Sequence, residues 1–257
     1  MDLVTKYAGA KKRLLTIEYD GVLVPQQLQP GLTIPDRDIK AVIEQLAADS
    51  RNTVMLLSGR DQEHLDLHWS RRNLILVSEH GASHRNRNAG WTKFFEPANS
   101  WLDPVELSLK HFVFQYPGSF FERRRYSLSW HYGSISDRIS TSEIREVIAA
   151  IRAQANSDQF KIYQPYRSVE LRSRGLTHPE FIRNWIGKQE FDYTLAIGVD
   201  ESSFPVFDFS RSIIPITVKS ARERSTQILD SQSEVVSLLK GLLGTTVTKK
   251  LSIWPFS

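Results

Sequence analysis

Short, continuous apolar runs alternate with segments of helical periodicity along this 257-residue chain, and this alternation limits the possible folds more than any other feature. The strand candidates are RLLTIEY, NTVMLLSG, LILVSEHGA, YTLAIGVD and IIPITV. Continuous apolar strands separated by helices are typical of a parallel sheet that is covered by helices on both faces. The sequence therefore predicts an α/β core.

The middle of the chain has a different pattern. From about Trp91 to Val169 the apolar residues alternate with charged and aromatic ones, as in RRYSLSWHY and FKIYQPYRSVEL. A helix that begins with a capping box, Ser140 and Glu143, lies between these two segments. We therefore predict an α+β cap domain at 91–169, inserted into a core domain formed by 1–90 and 170–257.

Composition excludes several classes of protein. The chain has no cysteine, so it forms neither disulfides nor thiolate metal sites. No apolar run reaches the roughly 18 residues of a membrane span. The net charge of +4 is small, and local basic runs such as RNRNAGWTK are typical of a solvated surface rather than of a nucleic-acid site. We expect a cytoplasmic protein that binds neither nucleic acid nor membrane.

Polar residues follow three of the predicted strands at their carboxyl ends, where ligands bind in open α/β folds. These segments are Glu18-Tyr19-Asp20-Gly21, Ser58-Gly59-Arg60 and Gly198-Val199-Asp200-Glu201. Carboxylates, a hydroxyl and glycine-rich turns suit a site for phosphate and Mg²⁺. Each of these segments alone is also typical of a helix cap or a turn. The prediction of a site therefore depends on all three segments occurring in one α/β pattern.

In order along about residues 6–243, the motifs resemble those of the trehalose-6-phosphate phosphatases, which belong to the haloacid dehalogenase superfamily. The similar segments are YAGAKKRLLTIEYDGVLVP, VMLLSGRD, LVSEHGA, YPGSFFERRRYSLSWHY, VELRSRGLTHPEFIRNWI and LAIGVDESSFPVF. The resemblance is greatest to the phosphatase half of trehalose-phosphate synthase/phosphatase proteins. It implies a haloacid dehalogenase-like core, a Rossmann-like parallel sheet, with an inserted cap.

The resemblance also assigns catalytic roles, with departures from the family pattern. The family's nucleophile is the first Asp of Asp-x-Asp, and this chain has Glu18 at that position. The longer side chain moves the carboxylate roughly 1.5 Å further out, and a misplacement of about 1 Å can lower the rate about 100-fold. Asp20 is the general acid/base and Ser58 the phosphate-binding hydroxyl. His178 replaces the family's lysine, and a neutral imidazole substitutes poorly for an ammonium group.

The metal motif departs further. Its first Asp is Val199, and its later Asp–Glu pair is Ser203-Phe204, whereas Asp200 is kept. The resemblance leaves Glu18, Asp20 and Asp200 as the metal ligands, an impaired site for Mg²⁺.

The cap resembles the family at the positions that grip glucose hydroxyls, with Arg124 in place of the family's lysine. By resemblance, Glu122, Arg124 and Glu170 bind substrate, together with Glu79 and His80 at the third strand end. Such side chains can instead form salt bridges between domains. His131 is predicted to be a packed strand histidine rather than a ligand.

These departures favour a catalytically disabled member of the family, which binds trehalose 6-phosphate or a related sugar phosphate and regulates or stabilises a trehalose-phosphate synthase. Such a protein needs no cofactor or binds Mg²⁺ weakly. Two alternatives stay open: an active Mg²⁺-dependent phosphatase that releases trehalose and phosphate, and a fold reused for unrelated protein binding.

Overall fold

The computed structural model describes residues 3–25, 33–69, 73–154, 158–187, 189–199, 213–218 and 227–251. The helices are α1 Leu3–Gly9, α2 Arg37–Ala48, α3 Gln62–Trp69, α4 Leu102–Gln115, α5 Thr141–Gln154, α6 His178–Ile186 and α7 Gln232–Leu251. The strands are β1 Arg13–Glu18, β2 Asn52–Leu57, β3 Ile75–Ser78, β4 Ser83–Arg85, β5 Trp91–Lys93, β6 Phe120–Arg123, β7 Ser127–His131, β8 Phe160–Tyr163, β9 Ser168–Ser173, β10 Tyr193–Gly198, β11 Ile213–Val218 and β12 Gln227–Leu229.

The chain divides into two compact units. The core unit takes the described residues up to 25, from 33 to 92 and from 177 onward, and the cap unit takes 93–176. The predicted boundaries were 90/91 and 169/170. The second boundary differs because β9 pairs with β7 and β8 of the cap. Glu170, predicted at the start of the returning core segment, is therefore a cap residue.

The core unit is built on one sheet in the order β12-β11-β10-β1-β2-β3-β4-β5. From β12 to β3 every neighbouring pair is parallel, and β4 runs antiparallel to β3. The central strands β1 and β10 are buried on both faces, and most of their inner residues are apolar. This arrangement confirms the predicted parallel α/β core.

The helices of the core follow the predicted periodicity. In α2 the residues that face the sheet are buried, and the Asp36 side chain caps the helix by accepting a hydrogen bond from Ile39 N at 2.8 Å. At the start of α7, Ser231 accepts from Glu234 N, while the Glu234 carboxylate accepts from Asp230 N. Both α1 and α2 contact α7. None of the described helices is long and apolar enough to cross a membrane.

The cap unit is a four-stranded antiparallel sheet in the order β6-β7-β9-β8. Its strands alternate, so one face is apolar and packs with α4 and α5, through residues such as Trp130, Val169 and Leu171. The capping box at the start of α5 is present, since Ser140 Oγ accepts from Glu143 N and the Glu143 carboxylate accepts from Ser140 N. The opposite face of the sheet carries the polar side chains.

Candidate functional site

The carboxyl end of β1 turns sharply after Glu18. The amides of Leu23 and Val24 both donate to Tyr19 O, and Gly21 N donates to Val24 O at 2.7 Å. Gly21 has φ 84°, a conformation that an L side chain rarely adopts. This turn holds Asp20 at the strand end, two residues beyond Glu18.

Glu18 is held by the end of β10 and the start of α6. Its Oε2 accepts a hydrogen bond from Val199 N at 2.9 Å. Its Oε1 lies 3.7 Å from His178 Nδ1, and the His178 side chain is only 5% exposed. The α6 N-cap is Thr177, whose hydroxyl accepts from Glu180 N, and this cap fixes His178 at the first helical position. The predicted nucleophile and lysine positions are therefore neighbours.

Asp20 forms a two-point ion pair with Arg60. Arg60 Nη2 lies 2.5 Å from Oδ1, and Arg60 Nε lies 3.1 Å from Oδ2. The guanidinium is 4% exposed and the carboxylate 35% exposed. Arg60 also donates to the hydroxyl and carbonyl oxygens of Thr33. The carboxylate of Asp20, at the predicted general acid/base position, is therefore paired with a buried cation.

The other side of Arg60 meets an imidazole and a phenol. Arg60 Nη1 donates to His64 Nε2 at 2.8 Å, and the guanidinium lies over the Tyr19 ring, 5.0 Å from its centroid. Burial lowers the pKa of His64 to about 4, and the positive charge of Arg60 adds to this effect. Burial also raises the pKa of the Tyr19 hydroxyl. Both side chains are therefore neutral at pH 7.

Ser58, the predicted phosphate-binding hydroxyl, follows β2 directly and is 1% exposed. Its Oγ accepts a hydrogen bond from Arg60 N at 3.0 Å. Its backbone carbonyl accepts from His80 N. Ser58 thereby joins the Arg60 turn to the turn after β3.

That turn contains the other two predicted core residues. Glu79, His80 and Gly81 form one 3-10 turn in which Glu79 and His80 both have positive φ, 45° and 57°. The His80 ring lies 5.2 Å from the His178 ring. Gly81 has φ 112°, and a Cβ there would lie 2.7 Å from Phe181 Cβ. The backbone therefore has no room for a side chain at Gly81.

In the cap, one row of side chains crosses the polar face of the sheet. Glu122 on β6 is opposite Ser129 on β7, which is opposite Glu170 on β9, which is opposite Tyr163 on β8. Residues directly opposite each other on one sheet face have Cβ atoms roughly 5 Å apart. Two of the predicted substrate-binding carboxylates, Glu122 and Glu170, are therefore separated by one strand only.

Basic side chains pair with both carboxylates of this row. Arg124 donates to Glu122 Oε1 at 2.9 Å, and Arg172 donates to Glu170 Oε2 at 2.6 Å. His131 Nε2 lies 3.3 Å from the second oxygen of Glu122. Burial raises the pKa of Glu122, but the hydrogen bond from His131 and the charge of Arg124 outweigh it, so the pKa lies below its usual range. Glu122 is therefore ionised at neutral pH.

The structure thus gathers the predicted residues into two groups. One group lies in the core unit: Glu18, Asp20, Ser58, Glu79, His80 and His178. The other lies in the cap unit: Glu122, Arg124 and Glu170. Asp200 lies outside the described residues, as do Ser203 and Phe204.

Sequence reasoning gave no role to several residues that complete these groups. Arg60 directly follows Ser58-Gly59 at the end of β2, and this position is its sequence signal. His64 follows it by one helical turn. In the cap, His131 and Arg172 lie two positions along a strand from residues of the row, and that spacing puts them on the same face. His131 is packed, as predicted, because it stacks on Phe120 at 4.6 Å, but it also contacts Glu122.

Comparison with known proteins identifies the family. The sequence profile of the trehalose-phosphatases matches residues 16–234. The chain belongs to the trehalose-phosphatase family. The predicted resemblance is therefore confirmed.

Curated relatives of this trehalose-phosphatase family member are considerably longer than the chain. It is 27% identical to the UDP-forming alpha,alpha-trehalose-phosphate synthase B of Dictyostelium discoideum, over 94% of this chain and 31% of that protein. It is 29% identical to the bifunctional trehalose-6-phosphate synthase/phosphatase of Thermoproteus tenax, over 80% of this chain and 28% of that protein. The chain spans less than a third of the length of these relatives.

Solved structures of trehalose-phosphatases share the fold. The C-terminal domain of Candida albicans trehalose-6-phosphate phosphatase has a TM-score of 0.80 at 22% identity, covering 94% of this chain and 96% of that one. Trehalose-6-phosphate phosphatase of Aspergillus fumigatus has a TM-score of 0.66 at 25% identity, covering 95% and 98%. The predicted haloacid dehalogenase-like fold is confirmed.

Phosphatases with this fold typically use Mg²⁺, which takes an octahedron of oxygen ligands. In the described ranges, no three His, Asp or Glu side chains gather where a metal ion could bind. Of the predicted metal ligands, Glu18 and Asp20 are among the described residues. Arg60 binds both carboxylate oxygens of Asp20, and Val199 has no side-chain oxygen. The described donors of this family member therefore do not fit Mg²⁺.

Proposed function

We propose that this chain is a catalytically disabled trehalose-phosphatase that binds a sugar phosphate and regulates or stabilises a trehalose-phosphate synthase. The observation that carries the proposal is that both carboxylates at the end of β1 are bound by other groups of the protein. Glu18 accepts a hydrogen bond from Val199 N, and Asp20 is held by Arg60. A nucleophile and a general acid must both reach the substrate, and here each is engaged within the protein.

The nucleophile position adds a second argument. Glu18 is one methylene longer than the family's Asp, and its partner is the imidazole of His178 where the family has a lysine. Unlike the ammonium group of lysine, an imidazole is not permanently charged at pH 7. It therefore supplies no permanent positive charge to bind the phosphate or to neutralise the carboxylate. Because effective catalysis needs all these groups in place together, several departures in one site reduce the rate far more than one would.

The polar row of the cap supports retained sugar binding. Glu122, which is ionised, and Glu170 each have an arginine beside them, so this sheet face presents several hydrogen-bond acceptors and donors. Sugar hydroxyls both donate and accept hydrogen bonds, so such a face suits trehalose 6-phosphate or a related sugar phosphate. Each of these ion pairs joins residues that are two positions apart in the chain.

The names of the relatives support a link to synthase. The Dictyostelium discoideum relative is called a synthase and the Thermoproteus tenax relative a bifunctional synthase/phosphatase. A trehalose synthase regulatory protein of Candida albicans has a C-terminal domain with the same fold, with a TM-score of 0.71 at 15% identity. The fold is therefore compatible with either a regulatory or a catalytic role. The cytoplasmic location stays a prediction from the sequence.

An active phosphatase is the second candidate, and one observation favours it. Glu18 keeps the negative charge of the nucleophile position and lies at the carboxyl end of β1, 3.7 Å from His178. Asp20 and Ser58 are also present. In this case Mg²⁺ would be required.

Two measurements decide between these functions. Phosphate release from trehalose 6-phosphate, with and without millimolar Mg²⁺, tests activity; we expect release at the uncatalysed rate in both conditions. Calorimetry with trehalose 6-phosphate tests binding, which we expect to be measurable without Mg²⁺. High Mg²⁺-dependent turnover would establish the active phosphatase, and absence of both activity and binding would favour a fold reused for protein binding.

A repair experiment tests whether the site has lost its chemistry. The quadruple variant Glu18→Asp, His178→Lys, Val199→Asp, Ser203→Asp restores the family residues, and we expect it to release phosphate in the presence of Mg²⁺. Glu18→Asp alone should restore little, because catalytic groups act as a unit. A folded quadruple variant that binds Mg²⁺ yet leaves the sugar phosphate intact would mean that the rest of the site no longer supports hydrolysis.

A further inference from the structure

Away from the polar face of its sheet, the cap unit has a cleft of about 370 Å³ between α5 and β8. It is lined by Arg145, Ile148, Ala149, Arg152, Ile162 and Gln164. We propose that this cleft binds an extended acidic segment of a partner protein, with Arg145 and Arg152 contacting two carboxylates. This inference does not rest on the sugar-phosphate site.

The two arginines lie on one face of α5. Positions 145, 149 and 152 follow the i, i+4, i+7 spacing, so Arg145 and Arg152 lie about 10.5 Å apart along the helix axis. Ala149 stands between them, and its small side chain leaves room for a ligand. Within the described part of the chain, neither guanidinium has an ion pair, in contrast to Arg123 and Arg124 of the same unit.

The acidic residues of α5 do not neutralise the cleft. Glu143 is used in the capping box with Ser140. Glu143 and Glu146 both act on Tyr116, where their negative charges help burial to raise the pKa of the hydroxyl. These carboxylates therefore lie near Tyr116, at the end of α4, and neither of them lines the cleft. The cleft is left with positive charge only among its lining residues.

The floor and the open side of the cleft favour an extended ligand. Ile148 and Ile162 supply apolar surface between the two guanidinium groups. Among the described strands, β8 is at the edge of the cap sheet. An extended segment beside β8 would direct every second side chain toward α5. In the pattern acid-x-apolar-x-acid, the two acids are about 13 Å apart, within reach of two flexible arginines.

The test uses the fluorescein-labelled peptide Glu-Thr-Ile-Thr-Glu, blocked at both ends, and fluorescence anisotropy at low salt. We expect saturable binding that weakens as ionic strength rises. Two control peptides separate geometry from charge: Gln-Thr-Ile-Thr-Gln, and the scrambled Glu-Glu-Thr-Thr-Ile. Each control peptide should bind at least about fivefold more weakly, because the loss of one exposed ion pair changes the dissociation constant by about this factor.

The protein variants are Arg145→Gln, Arg152→Gln and both together. Each single change should weaken binding about fivefold and the double change about 25-fold. Arg138→Gln is the matched control, because Arg138 is exposed in the same unit and does not line the cleft; it should bind like the parent. Circular dichroism checks folding, and the single variants suffice if the double variant unfolds.

Three results would overturn the proposal. They are the absence of binding at millimolar peptide, equal binding by the double variant and the parent, and equal binding of the Gln or scrambled peptide. A fourth is displacement of the peptide by inorganic pyrophosphate at lower concentration than the unlabelled peptide itself, which would make the cleft a site for small anions.

Discussion

Arg60 binds Asp20 through two nitrogens, with Nη2 at 2.5 Å from Oδ1 and Nε at 3.1 Å from Oδ2. The two residues are 40 positions apart in the chain and come from turns after neighbouring strands. The pair therefore joins two turns at the same edge of the core sheet, and it limits the reach of the carboxylate at the predicted acid/base position.

Removal of this arginine should destabilise the protein. Arg60→Gln leaves Asp20 without its partner, but Asp20 is 35% exposed and can be hydrated, so we expect a loss of about 1–3 kcal/mol in the free energy of unfolding rather than the larger cost of a fully buried pair. Urea unfolding measures it. Arg183→Gln, at an exposed arginine of α6, should change stability by less than about 0.5 kcal/mol.

A double-mutant cycle with Asp20→Asn shows whether the pair itself is responsible. The coupling energy between Arg60 and Asp20 should be about 1–2 kcal/mol. Additive effects of the two substitutions would mean that the bonds of Arg60 to Thr33, not the ion pair, hold the turns together.

The free energy of unfolding should decrease as the pH falls, because the pKa of His64 is lower in the folded protein than in the unfolded chain. The folded pKa of about 4 is below the unfolded value of 6.5, so between these values the unfolded chain binds a proton that the folded chain does not. The contribution is fully present above pH 6.5 and is lost as the pH falls toward 4. Since His64 is only half-buried, we expect about 1–2 kcal/mol of this dependence.

Two substitutions separate this effect from other groups. His64→Gln should flatten the pH dependence of the free energy of unfolding between pH 6.5 and 4, although not completely, because burial also lowers the pKa of His68 and His84. Leu107→Gln, at an exposed position of α4 that carries no titratable group, should leave the slope unchanged. An unchanged slope in His64→Gln would show that the imidazole does not titrate in this way.

Glu122 should be a main determinant of sugar-phosphate binding by the cap. Glu122→Gln keeps the shape but removes the charge that pairs with Arg124 and contacts His131, and charge-assisted hydrogen bonds contribute about 1.5–3 kcal/mol. Calorimetry with trehalose 6-phosphate should show binding about 10- to 100-fold weaker. Asp137→Asn, an exposed acid of the same unit, should bind within twofold of the parent. Equal affinity in both variants would remove Glu122 from the ligand site.

Gly81→Ala should disturb the turn that carries Glu79 and His80. The new Cβ would need φ 112° and would lie 2.7 Å from Phe181 Cβ, so we expect a loss of about 2–4 kcal/mol by thermal or urea unfolding. Gly90→Ala provides the control, because no atom lies within 4 Å of its added Cβ; it should raise stability by up to about 1 kcal/mol. A Gly81→Ala variant as stable as the parent would mean that α6 can move away from the turn.

The core strands could be predicted because each contains a continuous apolar run, and a run such as VMLL is typical of a strand in the middle of a covered sheet. The exact end of β3 could not. The segment LVSEHGA continues the apolar strand pattern, yet the backbone leaves the strand after Ser78 because Glu79 and His80 adopt positive φ. Non-glycine residues rarely do so, and tertiary contacts rather than their own preferences hold them there.

The candidate site could also be predicted only in part. Strand ends locate Glu18, Asp20 and Ser58, because parallel strands bring their carboxyl ends to one edge. The pairing of Asp20 with Arg60 depends on the path of two turns and on the direction of a long side chain, which periodicity does not specify. In the cap, alternation predicts which residues share a face, but only the register between β6, β7 and β9 places Glu122 and Glu170 in one row.

The position of β1 in the middle of the core sheet has a consequence for biosynthesis. Its two neighbours are β2, paired from Arg13 to Asn52, and β10, paired from Arg13 to Tyr193. As the chain emerges from the ribosome, one edge of β1 has no partner strand until the residues after 190 are made, whereas every strand of the cap has been synthesised by residue 173. Local contacts form faster than distant ones, so we expect the inserted domain to acquire its structure before the domain that it interrupts.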